Sequence, residues 1–189
     1  MTEQSYTLFE TAIGACGIVW TARGVCSMQL PEKDAAATLA RVHRRHPVAV
    51  EAAPSPVIRH AIDGIVALLA GEKRDLSDIT VDEEGQADFN KRVYAIARTI
   101  PPGKTMTYGE IAERLGDKTL ARAVGQAMGE NPTPIVMPCH RVLAAGGKTG
   151  GFSAPGGVVT KLQLLTIEGA QPGGPTLFDD LPLVARRQG

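Results

Sequence analysis

A chain of 189 residues with zero formal net charge and 43% hydrophobic residues has the composition of an ordinary globular protein and enough length to bury a core without staples. Three cysteines are too few for a disulfide framework, no apolar run is long enough to span a bilayer, and the start MTEQSYTLFE lacks the basic and apolar stretches of a secretory signal. The expectation is one or two domains, no membrane association and a cytoplasmic location where thiols stay reduced.

YTLFETAIG, GIVWTARG and VCSMQL are short, β-branched or aromatic, and bounded by glycine, which predicts three strands. Trp20 belongs to their core, and Cys16 and Cys26 read as small buried side chains. DAAATLARVHRRHP predicts a helix that stops before Pro47. Arg41, Arg44 and Arg45 read as its solvated face, with a nucleic-acid contact as the lesser alternative. A second helix follows: Ser55 caps it, Pro56 suits its first turn, Gly71 ends it, and Ile58, Ile62, Ile65 and Leu69 form one stripe. Residues 72–86 are acidic and irregular, with one short strand around DITVD. The predicted division is therefore an N-terminal domain over 1–86, a second domain over 87–170, and a Pro- and Gly-rich tail over 171–189.

The second domain opens with a helix over ADFNKRVYAIARTI, whose apolar face is Phe89, Val93, Ile96 and Ile100. TMTYGEIAERLG begins with a capping box, Thr107 with Glu110, and Gly116 closes that helix. Another helix starts at Thr119 after a short turn, giving a helix-turn-helix candidate. Leu120, Val124, Ala127 and Met128 make its buried stripe. The opposite stripe is Arg122, Gly125, Gln126 and Gly129. Small residues beside one arginine let a helix approach another backbone closely, either DNA or a neighbouring loop. RVLAAGGKTGGF predicts a β-hairpin turning at Gly146-Gly147, the wing expected after a helix-turn-helix. The last helix runs from about Val158 to Glu168 with Val158, Leu162 and Leu165 inward. Residues 1–86 carry eight Lys/Arg against twelve Asp/Glu, whereas 87–170 carry ten against six, which points to a polyanion partner for the second half.

Cys139 sits in NPTPIVMPCH, where three prolines fix φ and stiffen the backbone. A core cysteine does not need such a frame, and a nucleophile that must meet one carbon at one angle does. His140 is adjacent and can lower the thiol pKa. A histidine base is usually oriented by a third group, and Glu168 is the acid available late in the domain. His43, His46 and His60 show no metal-ligand spacing, so no metal and no cofactor is predicted.

PCHRV, preceded by NPTPIVM, resembles the active-site signature of the O6-alkylguanine-DNA alkyltransferases, the methylated-DNA–protein-cysteine methyltransferases. TYGEIA, ARAVGQAMGENP, GGFS and KLQLLTIEG follow that family's order and spacing. The likeness covers residues 87–170 in detail, and the first half resembles the family's N-terminal domain in outline. The implied fold is α+β: an N-terminal ribonuclease-H-like α/β domain plus a C-terminal winged-helix (helix-turn-helix) alkyltransferase domain.

The resemblance implies a monomer that repairs double-stranded DNA containing O6-alkylguanine, and O4-alkylthymine as well, by a single irreversible transfer to Cys139. His140 and Glu168 would form a water-linked relay that generates the thiolate, and Asn131 would brace the turn. Tyr108 would crowd a phosphate during nucleotide flipping and give its proton to the departing guanine. Arg122 would fill the gap in the base stack, with Ala121, Gly125, Gln126 and Thr107 along the same DNA face. Ser153 would hydrogen-bond O6, with Val142, Phe152, Ala154, Pro134 and Met128 around the base, and Lys161 would support the site. The loop GGFSAPGG departs from the family: Phe152 replaces a tyrosine, and Ala154 and Pro155 replace glycines, so the range of alkyl groups is expected to differ. A non-catalytic or regulatory protein that binds alkylated DNA is the alternative, and a cysteine hydrolase is a more remote one.

Overall fold

The computed structural model describes residues 2–170 of the chain. Its first elements are the predicted strands: β1 (Ser5–Thr11), β2 (Gly14–Thr21) and β3 (Gly24–Gln29), each antiparallel to the next. In β1–β2, Ser5 stands opposite Trp20; β2–β3 slips register at Val19/Trp20, where Cys26 is left without a partner. Helix α1 (Ala35–Arg45) starts on the Asp34 carboxylate, which accepts from the Ala37 N–H. Strand β4 (Val50–Glu51) then adds parallel to β1, giving the order β3-β2-β1-β4. Helix α2 (Pro56–Leu69) begins with the Ser55 cap and Pro56 at its first turn, as the sequence requires.

Strand β2 is buried on both faces. Cys16, Ile18 and Trp20 join Ile58, Ile62, Ile65 and Leu69 of α2 in one core, while Val19 meets Val42 of α1 on the other side. Gly17 is what permits that second contact, because a Cβ there would stand 2.7 Å from a Val42 methyl. Burial pushes the Cys16 thiol up to about 12 and that of half-buried Cys26 up to about 11. DITVD yields no full strand: Val81 alone bridges to Val25.

The second half contributes α3 (Asp88–Ala97), β5 (Met106–Thr107), α4 (Tyr108–Arg114), α5 (Ala121–Gly129), β6 (Val142–Leu143) and α6 (Val158–Ile167). Helix α3 stops short of the predicted Ile100, since Thr99 and Ile100 donate to Ile96 and Ala97 in tight turns before Pro101. The capping box at Thr107 and Glu110 is complete. Asp117 accepts from the Thr119 N–H at 2.9 Å and caps a 3-10 turn over Lys118–Leu120, so the next helix starts at Ala121 rather than Thr119. Val93, Tyr94, Ala97, Ile111, Val124 and Ala127 form a second core.

Two expectations fail. RVLAAGGKTGGF is not a β-hairpin. Strand β6 pairs in parallel with β5, and the Ala144 N–H donates to Lys148 O to close a loop in which Gly146, Gly147 and Gly150 all take positive φ. Gly146 and Gly147 could turn a hairpin, but among the described residues no returning strand pairs with β6, whose partner is β5. The inward face of α6 is also shifted. Val158 and Leu162 are 40% and 37% exposed, and the buried positions are Lys161, Leu164 and Leu165. Apolar periodicity could not assign a lysine to the inside. No helix among the described residues is long and apolar enough to cross a membrane.

Candidate active site

The frame around Cys139 is built from backbone strain and one asparagine. Ile135 takes φ of 77°, a left-handed conformation that costs a β-branched residue roughly 1–3 kcal/mol. Pro138, at φ −81° and ψ 65°, centres an inverse γ-turn in which the Cys139 N–H donates to Met137 O at 2.8 Å. Buried Asn131 holds this shape. Its amide nitrogen donates to Met137 O at 2.9 Å and to the Cys139 sulfur at 3.2 Å, and its oxygen accepts from the Thr133 N–H at 2.9 Å.

His140 and Glu168 meet as predicted: Nε2 lies 2.8 Å from the carboxylate, with both side chains buried. Arg141, which the sequence reading passed over, grips the same carboxylate with two nitrogens at 2.9 and 2.8 Å and donates to Ile100 O at 2.6 Å. The available signal was electrostatic: a buried carboxylate needs a permanent countercharge. Burial alone would raise Glu168, but His140 and Arg141 outweigh it and hold the carboxyl at about 2. Burial pushes His140 down, against the pull of Glu168. Its Nδ1 is buried with no hydrogen-bond partner among the described residues.

The Cys139 thiol is raised by burial, and the Asn131 hydrogen bond and the Lys161 charge work against that rise. Lys161 is fully buried, donates to Val142 O at 2.6 Å and Gly151 O at 3.2 Å, and is lowered by burial to about 8.

Strand pairing couples this site to α4 and α5. Val142, three residues past the thiol, pairs with Met106, and β5 runs directly into Tyr108 at the start of α4. Tyr108, Gly125, Met128, Gly129, Phe152 and Ser153 thereby surround Cys139 in a cavity of about 480 Å³. A Cβ at Gly150 would stand 2.5 Å from the Tyr108 hydroxyl, so that glycine leaves the phenol its place.

The other predicted residues distribute around this cavity. Arg122 and Gln126 are exposed on α5, with Ala121 and Gly125 half-buried beside them. Thr107 is occupied by its cap, and the Ser153 hydroxyl donates to Gly129 O at 2.9 Å. Pro134 and Ala154 lie on the other side of the thiol, in a second cavity that Arg41 and Arg45 also line. These two arginines were read as a solvated face, and Arg45 is exposed and Arg41 half-buried; what helical periodicity does not reveal is that both also border a cavity shared with Cys139. Among the described residues no cluster of three or more His, Cys, Asp or Glu is placed to hold a metal ion.

Residues 88–170 match the family model for the 6-O-methylguanine DNA methyltransferase DNA-binding domain. The methylated-DNA–protein-cysteine methyltransferase of Mycobacterium tuberculosis is 45% identical over 120 residues, 63% of this chain and 70% of the relative. The chain belongs to the methylated-DNA–protein-cysteine methyltransferase family. A family member from Methanothermobacter thermautotrophicus is 36% identical over 124 residues, covering 66% of this chain and 68% of its own. Among solved structures, Mycobacterium tuberculosis OGT in complex with DNA superposes with a TM-score of 0.71 at 33% identity, covering 88% of this chain and 95% of that one. The O6-methylguanine-DNA methyltransferase of Pyrococcus kodakaraensis gives a TM-score of 0.68 at 28% identity, over 88% and 99% of the two chains. The mixed α+β fold described above is thus the fold of this family.

Proposed function

We propose that this chain carries out direct-reversal DNA repair as a methylated-DNA–protein-cysteine methyltransferase, with Cys139 as the residue that takes the alkyl group from O6-alkylguanine in double-stranded DNA. The observation that carries the assignment is the sulfur itself. It lines a cavity bounded by the helix-turn-helix, 3.2 Å from a hydrogen-bond donor and next to a buried His140–Glu168 pair.

In this reading His140 Nδ1 takes the thiol proton through a bridging water, and Lys161 and Asn131 stabilise the thiolate. The sulfur attacks the alkyl carbon, the carbon–O6 bond breaks, and its electron pair passes to the guanine. Tyr108 gives the ring nitrogen a proton. Burial, with a smaller contribution from the nearby Cys139 charge, raises this phenol's pKa and keeps its proton in place until then. The thioether is stable, so each molecule acts once.

A base inside a duplex cannot reach a buried sulfur, and extrusion costs a few kcal/mol. Exposed Arg122 beside Gly125 suits a wedge that offsets this cost from the minor groove. The same reading makes residues 87–170 a winged-helix DNA-binding and transfer domain, residues 1–86 a ribonuclease-H-like scaffold, and the protein a monomer. O4-alkylthymine would enter the same cavity.

The test is intact-protein and peptide mass spectrometry after incubation with an O6-methylguanine duplex. One methyl is expected on the peptide containing Cys139, once per protein molecule. C139S is expected to bind the duplex and gain nothing. Methylation at another residue, or repeated turnover without modification, overturns the assignment.

A further inference from the structure

Two cavities meet at Cys139. The second, about 300 Å³, shares Gly129, Cys139, Phe152 and Ser153 with the first but opens toward the N-terminal half. In an O6-alkylguanine seated for transfer, the reacting carbon lies at the sulfur. The second cavity is the space beside the sulfur that is open to a longer substituent, and Pro134, Gln29 and two arginines of α1 line it.

Charge in that second cavity is uneven. Arg41 and Arg45 both line it. Arg41 reaches Glu32 at 3.2 Å with one terminal nitrogen, while its buried Nε has no partner. Arg45 makes no hydrogen bond or ion pair among the described residues. Arg45 is exposed to solvent at the mouth of the cavity, where partial desolvation and the neighbouring Arg41 lower its guanidinium from the ordinary value. Glu130, the carboxylate on this rim, is engaged by Asn90 at 2.8 Å and Gln126 at 3.5 Å. An anion entering here meets the Arg45 guanidinium and the unused donors of Arg41, which shares its charge with Glu32, while the Glu130 carboxylate is turned to the amides of Asn90 and Gln126.

We propose that Arg41 and Arg45 make the second cavity a subsite for O6 substituents that end in a carboxylate, so that the N-terminal half of the chain takes part in choosing the substrate. This rests on the alkyl-transfer reading above. For an O6-carboxyalkylguanine, the Cys139 sulfur bonds to the methylene carbon attached to O6. The carbon–O6 bond breaks, the electron pair goes to the guanine, and the ring nitrogen takes the Tyr108 proton. The products are S-carboxyalkylcysteine and guanine. A carboxylate approaching a thiolate is repelled in a site of low dielectric. The arginines offset that repulsion, and a neutral amide of the same shape receives from them only a weaker hydrogen bond without the charge attraction.

The experiment compares single-turnover transfer from duplexes bearing O6-methyl-, O6-carboxymethyl- and O6-(3-carboxypropyl)guanine, with the matching primary amides as neutral controls. Wild-type protein, R41Q, R45Q, the double variant and the charge-keeping R45K are measured at fixed salt. The acid-to-amide rate ratio is expected to fall about fivefold for each arginine removed and to survive in R45K. A ratio that is the same in the double variant as in wild type overturns the subsite. Equal slowing of all substrates with weaker, less salt-sensitive DNA binding also overturns it, because it marks the arginines as phosphate contacts. Failure of wild-type protein to place methyl on Cys139 is a different result, which removes the reading of the site itself.

Discussion

At Cys139, burial and polarity pull the thiol in opposite directions, and the residues that decide the balance come from three segments. Asn131 donates to the sulfur from the preceding turn, Lys161 acts on it by charge from α6 while donating to Val142 O and Gly151 O, and the His140 ring is oriented by Glu168 at the end of that helix. Glu168 is in turn fixed by Arg141, so its negative charge is built into the fold and not merely into the reaction. A carboxyl held at about 2 in the folded state, against an ordinary 4.5, contributes stability that is present above 4.5 and is lost as pH falls toward 2. E168Q removes that contribution and leaves buried Arg141 without its charge partner, at a cost of about 3–5 kcal/mol near pH 7. Urea unfolding between pH 3 and 7 checks the sign. The gap between wild type and E168Q should narrow as the pH drops below 4.5, and a gap constant across the range would contradict the assignment. The His140–Glu168 contact was legible because a base needs an orienter and the domain offers a single late acid. Arg141 was not, since its role appears only once the carboxylate is known to be buried.

The pair α4 and α5 was the most legible part of the chain, because local rules and tertiary demands agree there. Thr107 and Glu110 cap α4, Asp117 tightens the turn, and Val124, Ala127 and Met128 supply the buried stripe of α5. The loop after β6 was illegible for the opposite reason: its glycines suit a hairpin and an irregular loop equally, and long-range pairing of β6 with β5 selects the second. On the outer face of α5, Gly125 has space. A Cβ there would touch only the Tyr108 ring at 4.0 Å, an ordinary contact. G125A should therefore stabilise the protein by up to about 1 kcal/mol through helix propensity. If that face presses on DNA, the same methyl should weaken duplex binding severalfold. Thermal unfolding and fluorescence anisotropy of a labelled duplex separate the two effects. Unchanged affinity would mean that the small residues serve no DNA contact.

Taken as a whole, the molecule does not separate its cores as the sequence separates its segments. The largest core unites Cys16, Ile18, Ile62 and Ile65 with Ile135, Val136 and Leu164, which flank the thiol and the buried lysine. The Met28 N–H donates to Pro132 O at 2.9 Å, and one Arg98 nitrogen reaches the carbonyls of Leu76, Ser77 and Ile79 at 2.6–3.3 Å. The strained turn at Ile135 is thus packed against the N-terminal sheet, and that packing joins the Asn131 hydrogen bonds in holding a β-branched residue at positive φ. A fragment spanning 87–170 keeps every residue of the proposed relay yet exposes Ile135, Val136 and Leu164 to water. Each of these would forfeit about 1.5–3 kcal/mol of burial, comparable in sum with the whole stability of a small domain. The fragment is expected to unfold without a cooperative transition and to accept methyl from an O6-methylguanine duplex at a small fraction of the full-length rate. Adding residues 1–86 in trans should restore part of both. A fragment that melts sharply and transfers at the full rate would show that the N-terminal half neither supports the turn nor shapes the cavity behind the sulfur.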